Sequence, residues 1–378
     1  MSEYQFYEFK AIDKPLLKED KTEISSWSSR SNPSNTGVLF TYSYGNFPQD
    51  VISVIEKYFD AMFYISNWGT IRLIFKFPKA LLKIEGIKQY CTEDGLQIIE
   101  MSNCFILDIN FSEDEGGNWA EGEGWLDSLI SLRDDILNED YRCLYLAWLK
   151  NSIAAAEGEW DTMDLEAQEP HIPGQLSDLN GALLDFIVIF EIDKDYITAA
   201  TENCEFDNNE KQIELTPFLD QLSENEKDEF LVRLLNDEPL LNIKLKSRLK
   251  DFSTTNIISI KEKRSKRTID DIIKRGKEIK QERENKEKIE LQEKQLNKLL
   301  TIEKQEIEIW ARISKLITEK NTKAYDEVIL RMLDLKELSI YKNRFNDFCE
   351  KIELIKNKYS RLSGLTSRLK DAKLIILK

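Results

Sequence analysis

AMFYISNWGTIRLIFKFP, residues 61–78, decides the class of fold this chain adopts. Two runs rich in aromatic and β-branched residues, AMFYIS (61–66) and TIRLIFKFP (70–78), flank Asn67-Trp68-Gly69. Asn and Gly tolerate the positive φ that a tight turn needs, so the stretch reads as a β-hairpin. Upstream, YQFYEFKAI (4–12) and TGVLFTYSY (36–44) read as strands by the same composition. Between them and the hairpin, DVISVIEKYFD (50–60) sets Val51, Ile52, Ile55 and Phe59 on one helical face. Downstream, GLQIIEMSN and CFILDINFS (95–112) make a second hairpin. Helices interleaved with strands predict a small mixed α/β sandwich whose sheet is covered on one face.

The text then changes. FSEDEGGNWAEGEGWLDSL (111–129) holds five carboxylates and four glycines in its first fourteen residues, with Trp119 and Trp125 among them. An EF-hand counted from Asp108 fails, because its sixth position is Glu113 rather than glycine and its twelfth is Trp119 rather than glutamate. What is left to it is a looser oxygen cage from Asp114, Glu115, Glu121 and Glu123, the basis of a metal-dependent enzyme built on 113–123, or else paired carboxylates doing acid/base work on a glycosidic bond. The plainer reading is a strand-to-helix connection with Trp125 anchoring the next helix, and it is the one we adopt.

From there the apolar spacing is helical. Trp125, Leu126, Leu129, Ile130 and Leu132 repeat on one face, as do Leu144, Leu146, Trp148 and Leu149. The prolines and glycine of EPHIPG (169–174) interrupt the run, and GALLDFIVIFEI and the text at 216–242 continue as short helices. A polar stretch near 252–266 marks a boundary. KRTIDDIIKRGKEIKQERENKEKIELQEKQLNKLL (266–300) reads as one long charged helix, about 50 Å at 1.5 Å per residue. Ile269, Ile272 and Ile279 begin a coiled-coil seam, but Arg283 and Lys286 break it before Ile289, Leu296 and Leu300 resume, which favours a solvated spacer. The faces Ile309–Trp310–Ile313–Leu316–Ile317, Tyr325–Val328–Ile329–Met332–Leu333–Leu335 and Phe345–Phe348–Ile352–Ile355–Tyr359 predict antiparallel helices stacked like units of a helical repeat. The expected class is α+β, with an α/β domain at 1–115, an acidic helical domain at 116–250, a linker and long charged helix at 251–300, and a helical domain at 301–378.

Charge is distributed unevenly. Residues 1–100 carry a net −2, residues 101–240 a net −27 (34 acids, 7 bases), and residues 241–378 a net +13. Such polarity serves self-association, intramolecular docking or two different partners. Five separated cysteines, no CxxC pair and a single histidine, His171, argue against a zinc site or a disulfide framework. No GxSxG, GxxxxGK[ST] or GxGxxG occurs, so acyl transfer and nucleotide hydrolysis have no motif behind them. His171, between Pro170 and Ile172, reads as a surface residue of a turn. No run is apolar enough to cross a bilayer and the N-terminus has no leader pattern, which gives the expectation of a cytoplasmic, reduced protein.

Several segments resemble a widespread uncharacterised family of bacterial proteins: EYQFYEFKAIDKPL (3–16), KYFDAMFYISNWGTIRLIFKFPK (57–79), GEGWLDSL (122–129) and YRCLYLAWL (141–149). EIWARISKLITEKNTKAYDEVILRMLDLKEL (308–338) resembles the helical tail of bacterial SWIM zinc-finger proteins, without the Cys/His motif that defines the finger. The resemblance implies a bacterial cytoplasmic origin and a shared architecture; it brings no catalytic residues, metal or cofactor.

The expectation is a non-enzymatic protein–protein interaction or scaffold component of a bacterial assembly. Partner contact is expected near Trp119 and at Lys263, Arg264, Lys266 and Arg267, with no cofactor, no metal and no membrane. The alternatives are a nucleic-acid-associated subunit, in a defence complex for instance, using the basic 261–280 segment, and the metal-dependent enzyme above; homo-oligomerisation is compatible with all three.

Overall fold

Six strands form one antiparallel sheet in the order β2-β1-β3-β4-β6-β5. In chain order its elements are β1 (Gln5–Lys10), α1 (Lys18–Ser26), β2 (Gly37–Tyr42), α2 (Val51–Tyr58), β3 (Ala61–Ser66), β4 (Thr70–Pro78), α3 (Ile84–Ile87), β5 (Leu96–Glu100) and β6 (Cys104–Ser112). The structure is a computed structural model and describes residues 4–112, 122–157, 166–173, 176, 178–202, 214–253 and 267–374. The hairpin at 61–78 is present as read, with Ile65 opposite Ile71 and Gly69 at φ +93°. So is the second hairpin, with Ile99 opposite Ile106.

One expectation is corrected: the sheet is covered on both faces. Alternate residues of the same strands serve two cores. Tyr7, Phe9, Met62, Ile74 and Ile106 pack with Ile24 of α1 and Val54, Ile55 and Tyr58 of α2. Phe6, Phe63, Leu73, Phe75, Leu107 and Ile109 pack the other way, against the helices that follow. Two-sided burial explains why all six residues of AMFYIS are buried.

The second face is covered by α4 (Trp125–Leu129), α5 (Ser131–Leu137), α6 (Arg142–Glu157), α7 (Gly181–Ile189) and α8 (Lys194–Thr201), followed by α9 (Glu224–Leu235), α10 (Leu241–Ser253) and the long α11 (Ile269–Lys304). The same core that holds Phe6 and Leu107 also holds Leu144, Phe186, Ile243, Ile269, Ile272 and Ile273. A boundary at 115 or 250 would therefore cut through one apolar interior, and the chain divides instead into units Met1–Lys280 and Gln281–Lys378. The start of α11 belongs to the first unit because Gly276 lies on the ring of Tyr196. A Cβ there would sit 2.2 Å from Tyr196 Cδ1, so only glycine permits the approach.

Buried polar groups stitch the layers together. Arg133 of α5, 1% exposed, donates to both carboxylate oxygens of Asp13 (2.9 and 2.7 Å) and to the Lys76 carbonyl (3.0 Å). Lys76 pairs with Asp60 (3.1 Å), whose Oδ2 accepts the backbone N–H groups of Ile12 and Asp13. Every donor in this set has an acceptor, which is what burial of charge requires.

In the second unit, α12 (Glu306–Glu319), α13 (Thr322–Tyr341), α14 (Phe345–Lys358) and α15 (Ser363–Asp371) surround a core containing Ile313, Leu316, Ile317, Val328, Met332, Leu335, Phe348 and Ile352. These are residues of the three faces read from the sequence. Along α11, residues 280–298 are exposed at every position, as a solvated helix requires. No helix among the described residues is long and apolar enough to cross a membrane.

Candidate functional site

Helix α9 starts at a capping box: Glu226 N–H donates to Ser223 Oγ (3.3 Å), and the Ser223 N–H donates to the Glu226 carboxylate (3.0 Å). It ends at Asn236, after which Asp237 and Leu240 take positive φ and Pro239 bars continuation. Ion pairs hold the helix and the following turn. Glu226 accepts Arg248 of α10 at 2.8 Å, and its carboxyl is held below the usual range first by the Ser223 backbone N–H and then by Arg248. Glu238 accepts Arg233 (2.6 and 2.9 Å) and Lys244 (2.5 Å), and those hydrogen bonds pull its pKa down to about 2. The Arg233 guanidinium also lies over the Phe230 ring.

The rest of the helix is turned outward. No residue of α9 is buried, and Leu231, Val232, Leu234 and Leu235 are between 56% and 83% exposed. At 100° per residue these four span an arc of about 160° over the last turn and a half, so they form one continuous patch. Glu224 and Asp228 lie on the same arc two turns and one turn earlier, both exposed, with Lys227 between them paired to Glu224 at 3.0 Å. An apolar patch continued mainly by carboxylates, on a helix that buries none of its residues, offers a face to an amphipathic segment with basic residues at one end. Sequence reading passed over it as one more short helix. The available signal was FLVRLL, four large aliphatics within five residues (231–235), too many for a helix with no buried face of its own.

The residues singled out from the sequence fall differently. Trp119, Lys263, Arg264 and Lys266 lie outside the described residues, as do Asp114, Glu115 and Glu121 of the acidic loop. Glu123 is described and exposed. Among the described residues no group of three or more His, Cys, Asp or Glu could hold a metal ion. The end of the acidic loop is fixed to the sheet. Gly122 takes φ +73° where a Cβ would meet Phe6 and Ile65 at 2.8 Å, and Trp125 stands 5.7 Å from the Phe63 ring. The anchoring role read for Trp125 is present. His171 serves through its backbone, donating its N–H to Gln89 Oε1 and accepting from the Tyr90 hydroxyl.

Arg267 was expected at a partner surface, and its guanidinium works inside the fold. It donates to both oxygens of Glu169 (3.0 Å each) and to the carbonyls of Ala199, Ala200 and Glu202 (3.0, 2.7 and 3.2 Å) at the C-terminal end of α8. The cation completes the helix end by satisfying its orphan carbonyls, while Glu169, its side chain 0% exposed, also accepts the Tyr145 hydroxyl. Neighbouring bases do likewise: Arg275 holds Glu202 (2.6 Å), Lys280 reaches Asp193 (3.3 Å) and Lys250 pairs with Glu139 (2.9 Å). The basic segment after residue 241 thus neutralises acids of the −27 region within the first unit. Residues 281–378 carry only 22 bases against 17 acids.

No protein-family model, curated protein or solved structure matches the chain.

Proposed function

We propose that the protein is a non-enzymatic recognition component that captures a partner helix on α9. The observation that carries this reading is the exposed Leu231/Val232/Leu234/Leu235 arc continued by Glu224 and Asp228. Burying a leucine side chain fully is worth about 2 kcal/mol, so covering this arc supplies a binding energy that solvent exposure wastes. The acidic turns set direction, placing the basic end of the partner toward the N-terminus of α9.

The test is site-specific photocrosslinking from position 235 in cells, compared with Lys18, which is also exposed. A defined adduct at 235 that disappears in Leu231→Glu and in Leu234→Glu, with folding unchanged, supports the reading. Equal adduct patterns at both positions, or adducts indifferent to the two substitutions, sink it.

A further inference from the structure

The β2 edge of the sheet presents unpaired backbone and an uncharged surface. In an antiparallel pair, opposed residues alternate between exchanging two hydrogen bonds and exchanging none. The Tyr4 carbonyl accepts from Asn67 on the β3 side, whereas Ala11 N–H donates to the Thr36 carbonyl on the β2 side. Even-numbered residues of β1 therefore bond β3 and odd-numbered ones bond β2. With Tyr7 opposite Phe40 and Phe9 opposite Val38, the inward-bonding residues of β2 are Val38, Phe40 and Tyr42. Leu39 and Thr41 point their N–H and C=O groups away from the sheet, and among the described residues those four groups have no partner. Both residues are exposed, Leu39 by 41%.

Edge strands of natural sheets are usually blunted by charge, proline or a bulge. Here no charged residue occurs between Arg30 and Asp50, in a chain that is 32% charged, and GVLFTY has no proline. The opposite edge is handled differently. On β5, the N–H and C=O of Leu96 are taken by Thr92, and Glu100 puts a carboxylate at the strand's end, paired with Lys79.

We propose that β2 pairs antiparallel with β2 of a second copy, about a two-fold axis passing between the two Phe40 residues. In that register Leu39 lies opposite Thr41 of the second copy and Thr41 opposite Leu39. Each of these pairs exchanges two bonds, so all four unpaired groups on each edge are satisfied. The occupant follows from charge: about this axis Phe40 meets its own copy and residues 39 and 41 meet their own copies diagonally, so a charge on the strand would be brought close to its like. The 19 residues from 31 to 49 offer none.

Sedimentation of the full chain over a concentration series tests this, alongside hydrogen exchange at the Leu39 and Thr41 amides. The expected result is a mass that rises from 44.3 kDa toward twice that value, with exchange at both amides slowed at least about tenfold in the dimer. Thr41→Pro removes an outward N–H without touching the β1 ladder, and Leu39→Lys sets a charge on an already exposed position. Each returns the chain to monomer while its circular dichroism stays that of the parent. A chain monomeric at every concentration overturns the proposal, and so does a dimer indifferent to both substitutions. Protection of the two amides only on adding an extended peptide also overturns it, and reassigns the edge to a foreign strand.

Discussion

Replacing Arg267 with methionine tests whether this cation is structural or free for a partner. The substitution keeps an aliphatic stem and removes five donors. Glu169 is left fully buried without its cation, with the Tyr145 hydroxyl still donating to it, and the carbonyls of Ala199, Ala200 and Glu202 lose the guanidinium that caps them. Breaking one side of a buried ion pair costs about 3–5 kcal/mol. The Arg267 side chain is 27% exposed, so solvent screens part of the pair and the lower end, about 3 kcal/mol, is expected. Glu169→Gln together with Arg267→Met removes the stranded charge, so the double variant loses less than the two singles combined, with a coupling of about 2 kcal/mol. Urea unfolding followed by tryptophan fluorescence reads this out, because six of the seven tryptophans lie before residue 281 and report on the first unit. A single variant within about 0.5 kcal/mol of the parent, the range of ordinary surface changes, would refute the argument and return Arg267 to the pool of surface cations.

Gly276→Ala is expected to destabilise although alanine is the better helix former by about 1 kcal/mol, because its Cβ must displace the buried Tyr196 ring. A rise in the melting temperature of the first unit contradicts that packing. Glu238 has a folded-state pKa of about 2, below the value of about 4.3 of an unfolded glutamate. Its contribution to stability is therefore present above about pH 4 and disappears as pH falls through about 2. Urea midpoints of the parent and Glu238→Gln accordingly differ at pH 6 and converge toward pH 2, and curves that stay parallel throughout count against the Arg233–Glu238–Lys244 set. Leu235→Glu changes an 83% exposed residue, so stability stays within about 0.5 kcal/mol while capture of the α9 partner is lost; a large fall in stability would place Leu235 in the fold instead.

Period and composition made most elements legible. The hairpin at 61–78, the helix within 50–60, and the apolar faces of α12, α13 and α14 all follow from local pattern. What was not legible depends on distance along the chain. Arg133 finds Asp13 across 120 residues and Arg267 finds Glu169 across 98, and no periodicity encodes such pairs. The same limit produced the boundary at 115. A strand whose neighbours cover both faces and one whose neighbours cover a single face differ only in how apolar their alternate positions are, and the aromatic runs were read for their strand character alone. The charge map left self-association, intramolecular docking and outside partners open; Arg267, Arg275, Lys280 and Lys250 take the intramolecular course, spending their charge on Glu169, Glu202, Asp193 and Glu139 of the same unit.

The participation of Ile269, Ile272 and Ile273 in the interior begun by Phe6 has a consequence for biosynthesis. A ribosome adds about 5–20 residues per second, so more than ten seconds separate the emergence of β1 from that of the isoleucines that seal its far side. Until Ile269, Ile272 and Ile273 arrive, the interior that α4 to α8 share with the sheet lacks its last apolar residues, and Glu169, Glu202 and Asp193 lack their cations. Chains truncated at 250 would be stranded in that state.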